Sequence, residues 1–135
     1  MSQENIEVIR TAFDDFNSRD WKSWEALHHA DMVVIPMKGW PDWPDAERVD
    51  GIEAWLKRVL LLLEPWREQR LDIDTLRTTG DLVVVSYRWV ATGRESEVEV
   101  DMPMTGVYTI TDRKIARIEF FRDPQDALDA AGLSE

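Results

Sequence analysis

The sequence predicts an α+β fold in which a curved antiparallel sheet wraps over helices and forms an apolar pocket. Residues 81–123 hold three strand-length runs, DLVVVSYRWVATG, EVDMPMTGVYTITDRK and IARIEFFRD, rich in Val, Ile, Thr, Tyr, Phe and Trp. Gly, Asp and Arg-Lys turn signals separate them, so they read as an antiparallel meander. Apolar residues at helical spacing dominate the first half of the chain, and helices gathered before a run of antiparallel strands pack on one face of the sheet. The 135 residues, 44% of them hydrophobic, suit one domain, residues 1–135, with one core.

In the first element, Ile6, Ile9, Ala12, Phe13 and Phe16 form the apolar stripe of an amphipathic helix. Asn17-Ser18-Arg19-Asp20 breaks it, and Asp20 can cap a short second helix carrying Trp21, Trp24 and Leu27, which His28-His29 is expected to close. Residues 32–37, MVVIPM, read as a short strand with Pro36 near its edge or end. The stretch KGWPDWPDAERV repeats Trp-Pro-Asp, and its prolines require a loop. Asp50 with Glu53 matches a capping box for a third helix, in which Ile52, Trp55, Leu56, Val59, Leu60 and Leu63 keep helical phase until Pro65. Leu71 and Ile73 alternate with charged residues as a strand, and Leu76 breaks the alternation, as a bulge would. Asp123-Pro124 opens a last helix that Gly132 ends.

Composition excludes several functions. A net charge of −11 repels phosphate backbones and anionic lipid surfaces, so neither nucleic acid nor a membrane is an expected partner. The absence of cysteine removes disulfides, thiolate nucleophiles and Cys-ligated metals. With no G-x-S-x-G and no G-x-G-x-x-G, neither a serine nucleophile nor a dinucleotide is indicated, and no cofactor is expected. MSQENIEVIR is not a secretory signal and the apolar run 59–63 is too short to cross a bilayer, so a soluble cytoplasmic protein is the expectation. His28, His29 and Asp31 invite a metal reading, but adjacent residues on a helix point about 100° apart and do not converge, so no metal is expected.

The order of elements, the phrase AFDDFNSRDW, the helix start RVDGIEAW and the tail TDRKIARIEFFRDPQDALDAAGL resemble the SnoaL-like branch of the nuclear transport factor 2-like superfamily across nearly the whole chain. The resemblance implies a cone-shaped α+β fold whose sheet encloses a cavity, commonly as a homodimer formed through the sheet. Ketosteroid-isomerase-like members use a carboxylate base before a proline, a phenol and a protonated acid. Those positions match Ile35, Ala12 and Thr105 or Gly106 in this sequence, so the set is lost. Limonene-epoxide-hydrolase-like members use an arginine and two carboxylates, and those positions match Tyr87, Trp89 and Phe120, which cannot do that work.

Strand parity points the same way. Val83, Val85, Tyr87, Trp89 and Ala91 share one face, and Ile118 and Phe120 share one on the last strand, whereas the opposite faces carry Arg88, Arg117 and Glu119. Charges need partners in a dry interior, so the uncharged faces are assigned to the cavity. The expected ligand-lining set is Phe13, Phe16, Ile35, Trp55, Val85, Tyr87, Trp89, Ile118 and Phe120, with Trp40 and Trp43 as a lid. These aromatics have ordinary core packing as their alternative. The mixed outer face, Leu82, Val84, Arg88, Arg117, Glu119 and Phe121, is the expected homodimer surface. Two catalytic candidates stand apart: Asp101, a base if it points inward, and Tyr87, an oxyanion donor. The leading expectation is a binding domain for a flat or elongated apolar small molecule. The alternatives are an isomerase, cyclase or hydrolase of a polyketide- or terpene-like compound using Asp101 or Tyr87, and a protein-interaction module whose cavity is filled by its own side chains.

Overall fold

The computed structural model describes residues 2–40, 43 and 46–133. Helix α1, Ser2–Ser18, buries Ile9, Ala12, Phe13 and Phe16 as its spacing predicts. Arg19 at φ 65° turns the chain, and Asp20 caps α2, Trp21–Ala26, its carboxylate accepting from Ser23 N at 3.2 Å. The asparagine just before that turn ties α1 to the sheet: Asn17 donates to Leu71 O at 2.9 Å and accepts from Leu71 N at 2.8 Å.

His28 and His29 do not close α2. They open strand β1, His28–Ile35, which runs parallel to the last strand with His28 opposite Ile115. The Ile115 N–H donates to Leu27 O at 2.8 Å, and this long-range pairing takes the backbone that a continuing helix would need. Asp50 is likewise not a cap. It belongs to β2, Val49–Asp50, where it pairs with Val33 and binds Arg48 Nε at 2.9 Å. Gly51, at φ 95°, is the N-cap of α3, Ile52–Leu63, with no side-chain bond to the cap.

Strand β3, Trp66–Thr79, is longer than its short alternating core suggests, and its irregularities lie at 66–68 and 73–75 rather than at Leu76. The meander then follows as β4, Leu82–Gly93, β5, Glu99–Thr111, and β6, Lys114–Phe121. Helix α4, Pro124–Ala130, is capped by Asp123, which accepts from Gln125 N at 2.9 Å.

The six strands form one curved, unclosed sheet in the order β2-β1-β6-β5-β4-β3. Apart from the parallel β1–β6 pair, neighbours are antiparallel. Its inner face packs with α1, α2 and α3 into the main core, which includes Ile9, Phe13, Met32, Trp55, Val85 and Tyr108. On the outer face α4 seats Ala127 and Ala131 against Val84 and Val107, with Leu82 and Phe121 packed beside them. No helix among the described residues is long and apolar enough to cross a membrane.

Candidate functional site

A cavity of about 100 Å³ lies between the inner face and the helices. Helix α1 contributes Ala12, Phe13 and Phe16, α2 contributes Trp24, and α3 contributes Trp55, Val59, Leu62 and Leu63. From the sheet come His28 of β1, Gln69 and Leu71 of β3, and Tyr87 and Trp89 of β4. Strands β5 and β6 supply Met104, Tyr108, Ile115, Ile118 and Phe120, and the loop after β1 supplies Trp40. Trp40, Leu62, Leu63, Gln69, Leu71 and Trp89 are only half-buried and mark the mouth, whereas the rest of the lining is buried.

Strand register builds this wall. Tyr87 lies opposite Met104 and Trp89 opposite Met102, so alternate residues of β4 and β5 face the helices. Phe13 packs edge-on against Tyr87 at 5.1 Å and lies 6.2 Å from Tyr108. Gly106 makes room for these rings: a β-carbon there would sit 2.9 Å from the Tyr108 ring and 3.6 Å from that of Phe120.

Most of the expected lining is brought together: Phe13, Phe16, Trp55, Tyr87, Trp89, Ile118, Phe120 and Trp40 all border the cavity. Three positions differ. Val85 faces inward but is sealed within the core at 0% exposure. Ile35 is half-buried and outside the lining, because it pairs with Glu119 and the alternation of β1 gives the inward positions to Met32 and Val34, both fully buried. Trp43 is a second layer behind Trp40, with ring centroids 5.6 Å apart and the Arg58 guanidinium 4.8 Å from its own ring centre. Trp40 itself stands edge-on to Phe120 at 4.8 Å. The remaining residues of the Trp-Pro-Asp repeat, 41–42 and 44–45, lie outside the described residues.

Asp101 points away from the cavity. It pairs across the sheet with Val90 on the outer face, accepts from Arg88 Nε at 2.6 Å, and leaves 58% of its side chain exposed. The positions matched to ketosteroid-isomerase chemistry are as inert as their residue types imply: Ala12 offers the cavity a methyl group, and Thr105 and Gly106 lie outside its lining. Among the described residues no cluster of His, Asp or Glu suits a metal. His29 Nε2 instead meets Thr111 O at 2.8 Å and Oγ1 at 3.0 Å.

Apart from indole N–H groups, the polar side chains of the lining are His28, Gln69, Tyr87 and Tyr108, all uncharged at neutral pH. Burial drives the His28 imidazole down to about 4, against the hydrogen bond at 2.8 Å to Trp24 O, which raises it. Burial, and then the Tyr108 phenol, hold Tyr87 well above the usual phenol range, and burial raises Tyr108. Gln69 accepts from Trp89 Nε1 at 3.0 Å and donates to Leu63 O at 3.4 Å. His28, Gln69 and Tyr108 were not among the expected site residues. Parity gives a signal for Tyr108, since it shares a face of β5 with Met104, but nothing local marks a histidine after a helix as the first inward residue of a strand.

Solved structures share this fold over nearly the whole chain. A candidate SnoaL-like polyketide cyclase from Jannaschia sp. CCS1 superposes with a TM-score of 0.76 at 20% identity, covering 98% of this chain and 94% of that one. TerC, crystallised with polyporic acid, gives 0.78 at 20% identity over 95% of this chain and 97% of its own. IdmH, a candidate polyketide cyclase from Streptomyces antibioticus, gives 0.75 at 21% identity over 95% and 98%. No curated protein matches the sequence. The family model of the SnoaL-like domain matches residues 9–118, from α1 into β6, and the chain belongs to that family.

Proposed function

We propose that this SnoaL-like domain binds a flat apolar small molecule inside the cone and orients it through the Tyr87 and Tyr108 phenols, without acid–base catalysis of the ketosteroid-isomerase type. The observation that carries this reading is the lining itself: rings and aliphatic chains interrupted by a few neutral polar groups, with no carboxylate, lysine or arginine among the described residues. Two phenols held fully protonated by burial are hydrogen-bond donors at any physiological pH, which suits a ligand carbonyl. The crystallisation of TerC with polyporic acid supports a small organic ligand for this fold. About 100 Å³ admits a small ring, so a larger molecule requires Trp40, Leu62 or Leu63 at the mouth to shift.

The test is a tryptophan-fluorescence and thermal-shift screen of flat aromatic ketones, steroids, polyketides and terpenes, with recovered compounds weighed by mass spectrometry. Saturable binding with the compound unchanged supports the proposal. No binding by any class removes it.

The candidate polyketide cyclases among the structural neighbours favour a second reading, an enzyme of the cyclase type. With Asp101 engaged by Arg88 on the outer face, Tyr87 is the candidate left from the sequence. Conversion in the same screen that stops on Tyr87→Phe supports this second reading. An interaction module with a filled cavity fits less well, because the space between sheet and helices is not closed to core density.

A further inference from the structure

His28 is the buried ionisable group for which the proposed binding mode has no use. It is 4% exposed and opens β1, with its ring tilted at 52° against Trp24 and the ring centres 4.5 Å apart. Its Nδ1 lies 2.8 Å from the carbonyl oxygen of Trp24. A carbonyl only accepts, so Nδ1 carries the proton, and a neutral imidazole then presents Nε2 as a bare acceptor. Among the described residues, the only fully enclosed side-chain nitrogen or oxygen without a partner is Trp66 Nε1. His28 Nε2, which no donor among the described residues reaches, is therefore not sealed in, and the space that His28 borders is the cavity.

The other polar groups of the lining do not make the same demand. Gln69 is engaged at both ends, by Trp89 and Leu63, and the tyrosine hydroxyls can donate as well as accept. His28 Nε2 can only accept. A carbonyl leaves it unpaired, and an acceptor buried under a ligand without a donor costs free energy.

Resting on the proposal that the cone binds a flat apolar molecule, we infer that its ligands carry a hydroxyl on an aromatic or enolic ring, which donates to His28 Nε2 while the rest of the ring packs against Phe13 and Trp24. His28 is then a specificity-determining residue, selecting hydroxylated molecules over deoxygenated ones of the same shape.

The test compares 2-naphthol with 2-methylnaphthalene, which replaces the hydroxyl by a methyl group. Calorimetry is expected to give the wild type about tenfold tighter binding of the naphthol, the effect of one buried hydrogen bond. His28→Leu is expected to abolish that preference, so that the two compounds bind with equal affinity. Equal affinities in the wild type, or a preference that survives in His28→Leu, overturn the inference and leave the binding proposal standing. If neither compound binds the wild type, the inference falls, and the binding proposal is decided by the wider screen. Imidazole ¹⁵N NMR provides a check that needs no variant, since the chain has only 2 histidines. His28 Nε2 is expected to show an unprotonated nitrogen at neutral pH whose signal moves with naphthol and not with methylnaphthalene. A protonated Nε2 in the free protein contradicts the inference.

Discussion

His28 makes the stability of the whole chain depend on pH. Its ordinary value of 6.5 applies to the unfolded chain, and burial lowers it to about 4 in the folded one. As pH falls below about 6.5 the unfolded chain takes up this proton first, so stability is lost down to about pH 4, by roughly 3 kcal/mol from this group. Urea unfolding at pH 7 and pH 4.5 is expected to show a smaller loss in His28→Gln than in the wild type. Equal losses contradict the assignment of a buried neutral imidazole. Tyr87 makes the second prediction at this scale. Tyr87→Phe keeps the ring that Phe13 packs against at 5.1 Å and removes only the hydroxyl. Affinity for a flat ketone is expected to fall about fivefold, the effect of one hydrogen bond, while the melting temperature changes little. Unchanged affinity in the calorimeter removes Tyr87 as the orienting group.

At the scale of elements, the loop after β1 is proposed to control the mouth. Arg122, just after β6, donates to Lys38 O at 3.2 Å and Gly39 O at 2.9 Å, and Gly39, at φ 72°, lies so close to the guanidinium that a β-carbon would sit 2.9 Å from it. This latch holds the backbone just before Trp40, whose ring lines the cavity. Arg122→Ala is expected to raise both association and dissociation rates of a ligand severalfold in stopped-flow fluorescence, because the loop opens more often. Rates identical to the wild type contradict a gating role. Elements were legible where local pattern and long-range pairing agree. The phase of α3 and the parity of Tyr87 and Trp89 on β4 were readable because core burial imposes one period on each. Three features depended on distant partners. The fate of His28 is set by Ile115, the inward phase of β1 by its parallel neighbour β6, and the orientation of Asp101 by its register with Val90. A short stretch of sequence carries no record of such partners, so parity left the face of Asp101 open, and Ile35, placed by resemblance alone, was misassigned to the lining.

At the scale of the whole molecule, the outer face of the sheet divides in two. Helix α4 covers Leu82, Val84 and Phe121, whereas the Arg88–Asp101 and Arg117–Glu119 pairs stay open to water. The open part, bordered by the apolar residues that α4 leaves half-buried, is the surface through which a homodimer is proposed to form, with the ion pairs at its polar positions. Sedimentation at micromolar concentration is expected to give twice the chain mass of 15.7 kDa, and Arg88→Glu is expected to weaken the assembly by setting two acidic side chains together. A monomer in the wild type removes the dimer and leaves the cavity argument intact. The cavity is the central claim, and Ala12 is its most direct probe, since its side chain lines the cavity and bears no polar atom. A ligand affinity measured for the wild type and for Ala12→Leu, with the melting temperature of each, decides it. Saturable binding in the wild type that is lost in a still-folded Ala12→Leu is the predicted result, and equal binding by the two proteins contradicts a ligand inside the cone.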